Sequence, residues 1–195
     1  LYLNKNYAIR RFVAFLIVLP GALLFLLGNH LSPGHLGYAI AVNFSYIVVF
    51  TLLEKGMADE SRVSLYFEPG AFEKNGNIYR WLGILYFKRL LKRIGWEKVI
   101  RGNQSMQNNP DSLKDYRQWT ISSELIHRNA GIVVLLFSLL IGYFHGYRHI
   151  FWLVVVNILV NGYPVMLQRY NRHRADRLIR LMHRRRQQKQ NYASK

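Results

Sequence analysis

Glu124 and His127 stand three residues apart, just ahead of an apolar run that begins at Ala130. On a helix that spacing puts both side chains on one face. A carboxylate beside an imidazole fixes its tautomer and raises its basicity, which suits a general base. The same pair would serve equally well as a capping or interfacial contact with no chemistry. A second polar set follows: Asn157, Asn161, Gln168 and Arg172, separated by four, seven and four residues, so that they line one helix face. Pro164 lies among them, and its ring leaves the carbonyl of Val160 without its usual donor. In a bilayer that carbonyl must find a neighbour or a polar cavity. If the two sets meet, His127 takes a proton from a hydroxyl while amide and guanidinium donors stabilise an oxyanion, which is acyl transfer. Helix–helix adhesion is the competing reading of the asparagines.

Other chemistries find less support. The chain has no cysteine, so disulfides and thiolate metal sites are excluded. Glu124-x-x-His127 resembles half of a di-iron carboxylate motif, but a second copy is missing. There is no His-Glu-x-x-His, no Gly-x-Ser-x-Gly and no phosphate-cradling glycine loop. His30, His35, His145 and His149 are scattered through loops, and no metal is expected.

Four apolar runs position these residues: about 12–28, 38–53, 130–147 and 150–167. Each approaches the ~20 residues that cross a bilayer, and Tyr38, Tyr143, Tyr147, Trp152 and Tyr170 extend them into the interface. Runs free of Lys, Arg, Asp and Glu are unusual in soluble helices, which keep a polar face. The first run lacks a small-x-small cleavage site and is read as retained. Of 27 Lys and Arg residues, three precede the first run, 13 lie between Lys55 and Arg128, and 10 follow from Arg169. Arg148 alone lies between the last two runs. The positive-inside rule then makes the chain multi-pass in the inner (plasma) membrane, with both termini and segment 55–128 cytoplasmic.

Two basic stretches look amphipathic. Gly83, Ile84, Phe87, Leu90, Leu91 and Ile94 share a face beside Lys88, Arg89, Lys92 and Arg93. Ala175, Leu178, Ile179 and Met182 repeat the device within 172–186, among seven arginines. Both are expected in the headgroup layer; a solvated charged helix is the alternative. The net charge of +17 accompanies no nucleic-acid-binding motif.

The chain resembles the glycosyl-4,4′-diaponeurosporenoate acyltransferases, small integral membrane enzymes of carotenoid glycoside biosynthesis. The likeness runs over roughly 72–186. It begins with Phe72-Glu73-Lys74 and Gly76, then an aromatic stretch ending in Lys88, and continues through Glu124-Leu125-Ile126-His127. Its most specific part is Pro164 followed by Gln168-Arg169-Tyr170-Asn171-Arg172 and Arg174; His173 stands where the pattern has proline. The resemblance implies esterification of a sugar hydroxyl on a membrane lipid by a fatty acyl chain.

The expectation is therefore an all-α membrane protein with four transmembrane helices and two basic interfacial helices. It acts as an O-acyltransferase on a lipid-linked hydroxyl at the cytoplasmic leaflet. His127 is the base and Glu124 orients it. Asn157, Asn161, Gln168, Arg169, Asn171 and Arg172 bind substrate. Lys88 contacts a phosphate of an acyl-CoA or acyl-carrier-protein thioester, and no cofactor stays bound. A non-catalytic subunit that holds anionic lipid or a partner protein through the basic helices is the rival reading.

Overall fold

The computed structural model describes residues 21, 23, 24, 32–57, 71–95 and 110–193, all of them helical or in the turns between helices. Among them run α1 (Leu36–Met57), a 3-10 turn (Ala71–Gly76), α2 (Asn77–Trp81), α3 (Ile84–Arg93) and α4 (Pro110–His145). A 3-10 turn (Tyr147–Ile150), α5 (Phe151–Asn157), a π-helical segment (Ile158–Gly162) and α6 (Tyr163–Ala193) follow. The all-helical class expected from the sequence is what is observed. The expected first span, 12–28, falls almost wholly outside the described residues. Three stretches among them are long and apolar enough to cross a membrane: Leu36–Leu53, Asp111–His145 and Tyr147–Tyr192.

The contacts divide the chain into two units, 1–60 with 125–164 and 61–124 with 165–195. In the first, Tyr38, Ala39, Val42 and Tyr46 of α1 pack with Ala130, Val134, Phe137 and Ile141 of α4 and with Leu153 and Val156 of α5. The opposite side of α1 presents Ile40, Phe44, Val48 and Leu52, each exposed. Those residues recur every four positions, so α1 is apolar on both its packed and its open face. A helix that is hydrophobic all round belongs in a larger core or in lipid. α4 repeats the pattern, with Leu135, Leu136, Leu139 and Leu140 exposed. Gly146, at φ +92, ends α4 and turns the chain into the following 3-10 segment.

Pro164 stands just after a π-helical segment, and the helix runs on through it without an end. The register shift is taken by the π segment before it, where the Tyr163 N–H reaches the Ile158 carbonyl five residues back. π-bulges of this kind gather at functional sites.

In the second unit, α4 supplies Leu113, Tyr116 and Ile121 to the core and α6 supplies Ala175. The amphipathic stretch Gly83–Ile94 appears as α3. α2 ends at Trp81, and Gly83, at φ +79, starts α3 from a left-handed residue that other side chains adopt only with strain. One sequence expectation is corrected here: the basic tail 172–186 is no separate helix but continues α6 without a break. Its stripe begins against protein: Ala175 is fully buried, and the neighbouring Asp176 accepts from Arg117 Nε of α4 at 2.8 Å.

Candidate active site

The first unit holds a hydrogen-bonded ladder with one possible polarity. Asn43 of α1 spends its amide N–H groups on the carbonyls of Ala39 (2.9 Å) and Leu153 (3.5 Å). Asn157 spends its own on the carbonyl of Gly131 (3.0 Å). Both side-chain oxygens are then left as acceptors, and Asn161 donates to each: 3.0 Å to Asn43 Oδ1 and 2.8 Å to Asn157 Oδ1. With its donors used, Asn161 turns Oδ1 toward His127 Nδ1 at 3.3 Å. An acceptor facing Nδ1 requires a proton there, so the network assigns the tautomer in which Nε2 carries the lone pair. The Val160 backbone, in the same π segment, also meets the His127 ring. Gly131 permits the close approach, since a Cβ there would lie 3.3 Å from Asn161 Cβ and 3.5 Å from Asn157 Oδ1.

The second unit holds a buried cluster of charges. Arg169 donates to Glu73 and, at 2.9 Å, to Glu124 Oε1, while its Nε reaches Tyr79 Oη at 3.1 Å. Arg172, 2 % exposed, donates to Glu124 Oε2 and to Thr120 Oγ1 (3.4 Å). His173 Nε2 meets Glu73 Oε2 at 2.6 Å. Two carboxylates thus offset two guanidinium charges where burial of an unpaired ion would cost several kcal/mol. Burial, and next the hydrogen bond to Glu73, push the Tyr79 phenol up to about 12. Gly76, at φ +87, ends the 3-10 turn that carries Glu73; a Cβ on it would sit 3.4–3.5 Å from Tyr170 and His173. Gln168 Nε2 donates to Ser123 Oγ at 3.0 Å. Partner numbers fall along α6 as they rise along α4, so within this unit the two helices run antiparallel.

The expected site residues therefore sort into two sets. Each half of the expected Glu124–His127 pair is satisfied within its own unit: the carboxylate by arginines and the imidazole by Asn161. Asn157 and Asn161 give their donors to protein groups, as helix adhesion requires. Arg169 and Arg172 are already charge-compensated. Gln168 and Asn171 are buried, and their carbonyl oxygens lack a partner among the described residues. They were expected as donors; what they leave open is acceptors. Lys88 is half-buried on α3. Sequence reasoning missed Glu73 as the second counter-carboxylate, and with it Tyr79, His173, Ser123 and Asn43. The available signal was the depth of Arg169 and Arg172, because two buried guanidinium groups demand two carboxylates and the chain has ten in all.

The cluster can be set beside known proteins. The glycosyl-4,4′-diaponeurosporenoate acyltransferase family matches residues 64–181, more than half of the chain. The chain belongs to this family. No curated protein and no solved structure matches it. The segments that carry the acyltransferase resemblance coincide with the charge cluster: Glu73 and Gly76 at one end, Glu124 in the middle, Gln168, Arg169 and Arg172 at the other. His127 and Asn161 fall inside the matched region as well.

Proposed function

We propose that the protein is an integral-membrane O-acyltransferase. It moves a fatty acyl chain from a thioester, acyl-CoA or acyl-carrier protein, to a sugar hydroxyl of a membrane-embedded glycolipid or carotenoid glycoside. The observation that carries this reading is the family match over 64–181, with the oriented imidazole of His127 inside it. His127 Nε2 takes the hydroxyl proton as the oxygen attacks the thioester carbonyl. The new C–O bond forms, the C–S bond breaks, and the departing thiolate recovers the proton from the imidazolium. Asn161 is a positioning residue that holds Nδ1–H, the part first expected of Glu124. An amide carbonyl in that place also fixes the tautomer in Cys-His-Asn proteases. Glu73, Glu124, Arg169 and Arg172 act as a frame that locks α4, α6 and the 71–76 turn together within the second unit.

The same proposal includes four spans, the run 12–28 being the first, with both termini and segment 55–128 cytoplasmic. The asymmetry of the Lys and Arg residues supports it.

The experiment is a turnover assay on purified His127→Ala with a thioester donor and a glycosylated lipid acceptor, beside a melting curve on the same sample. Turnover should fall by ~10² to 10⁴, with melting close to the native protein's. Full activity would end the base assignment. A native protein inactive over a panel of such acceptors would favour the non-catalytic lipid-binding subunit.

A further inference from the structure

Residues 71–95 carry a surface that the acyl-transfer chemistry does not use. Phe72, Ile78, Trp81, Leu82, Tyr86, Leu90 and Ile94 are all exposed, Trp81 to 90 %. Seven large apolar side chains open in 25 residues exceed the scattered exposure normal for a soluble surface. The charge of the segment is one-sided. Lys74, Arg80, Lys88, Arg89, Lys92 and Arg93 face a single acid, Glu73, and Glu73 is buried against Arg169 and His173. The outer surface of α2 and α3 is therefore cationic and apolar together.

At the centre of α3 lies a pocket of about 160 Å³ lined by Tyr86, Arg89, Leu90 and Arg93. These positions are spaced i, i+3, i+4 and i+7, one helix face. The Arg89 guanidinium sits 4.4 Å from the Tyr86 ring centroid, which holds it in place. Arg93 follows four residues later, and like charges at that spacing repel. Among the described residues no carboxylate pairs with either. The arrangement is what an anion between the two would relieve. The volume is below the ~300 Å³ at which sites for drug-sized ligands begin, so a whole coenzyme is a poor fit and a single phosphate a good one. Tyr86 and Trp81 are also the side chains that favour the boundary between lipid and water.

We propose that this face of α2 and α3 lies on an anionic phospholipid leaflet, with one headgroup phosphate seated between Arg89 and Arg93 against Tyr86. The inference rests on the membrane reading and on charge complementarity, and is independent of which residue is the base. Lys88, expected to meet a phosphate of the acyl donor, does not line this pocket.

The test uses the full chain purified in neutral detergent and titrated with phosphatidylglycerol or phosphatidylcholine, with bound lipid counted by native mass spectrometry. Phosphatidylglycerol should bind preferentially. An Arg89→Ala/Arg93→Ala double variant, both sites being exposed, should melt as the native protein does and lose about fivefold in affinity per charge, roughly 25-fold together. Equal binding of the two lipids would overturn the proposal, as would undiminished phosphatidylglycerol binding by the double variant. Displacement of the lipid by micromolar coenzyme A would overturn it in favour of the acyl donor. None of these readouts needs acyl transfer, so failure here and failure of the proposed activity are separable.

Discussion

Replacing Glu124 by glutamine separates an anchor from a catalytic orienter. The side chain keeps its shape but loses the charge that faces Arg169 Nη1 and Arg172 Nη2. Arg169 retains Glu73 and Arg172 retains Thr120, in a site where the Arg172 side chain is 2 % exposed and that of Glu124 1 %. Removing one partner of a buried pair costs ~3 to 5 kcal/mol, because the other charge stays behind. At ~2 to 4 °C per kcal/mol for a chain of this length, the melting temperature should fall by ~6 to 20 °C. The chain has four tryptophans and no cysteine, so intrinsic fluorescence is the suitable probe. Trp119, against Tyr116 in the same unit with ring centroids 5.7 Å apart, reports locally. His127→Ala serves as the contrast, with ~1 kcal/mol and a shift of ~2 to 4 °C. A Glu124→Gln protein that melts within ~2 °C of the native one yet loses turnover as His127→Ala does would refute the anchor role. That result would return the carboxylate to the imidazole.

Three further outcomes are expected. Asn161→Leu, which removes the acceptor toward Nδ1, should cut turnover in a protein that still melts as a folded chain; native turnover in that variant would remove Asn161 as a positioning residue. Asn171→Leu deletes a buried carbonyl that has no partner among the described residues, so stability in a thermal melt should be unchanged or higher by up to ~1 to 3 kcal/mol; a drop in turnover without a drop in stability would place a ligand hydroxyl on that oxygen. Gly76→Ala should destabilise by ~1 to 2 kcal/mol from its left-handed backbone, and a melt equal to the native one would show that the 71–76 turn does not need that conformation.

Much of the architecture was legible in the residues. The run 38–53 appears as α1, and the run 130–147 lies within α4 apart from its last two residues. The period of 3.6 correctly placed Asn157 and Asn161 on one face, where they bond each other. The family was legible too, because a string such as Gln168-Arg169-Tyr170-Asn171-Arg172 carries its own specificity. What periodicity cannot supply is a partner. Glu124 and His127 are close along one helix by spacing, and Glu124 and Arg172 are 48 residues apart. The contact is decided by electrostatics after packing, since a buried guanidinium must be compensated by a carboxylate whereas an imidazole N–H can donate to an amide oxygen instead. Nor does an apolar stripe announce what covers it. The pattern at Ala175, Leu178, Ile179 and Met182 suits a lipid surface as well as a neighbouring helix, and the Arg117–Asp176 and Arg172–Glu124 pairs turn its first part toward protein. Pro164 told of a missing donor, but not of the π turn at Ile158–Gly162 that absorbs the shift. The sequence by itself determined the helices, their apolar faces and the family; the tertiary structure decided which carboxylate each arginine meets and which amide holds His127, because those choices depend on distances that exist only once the helices have packed.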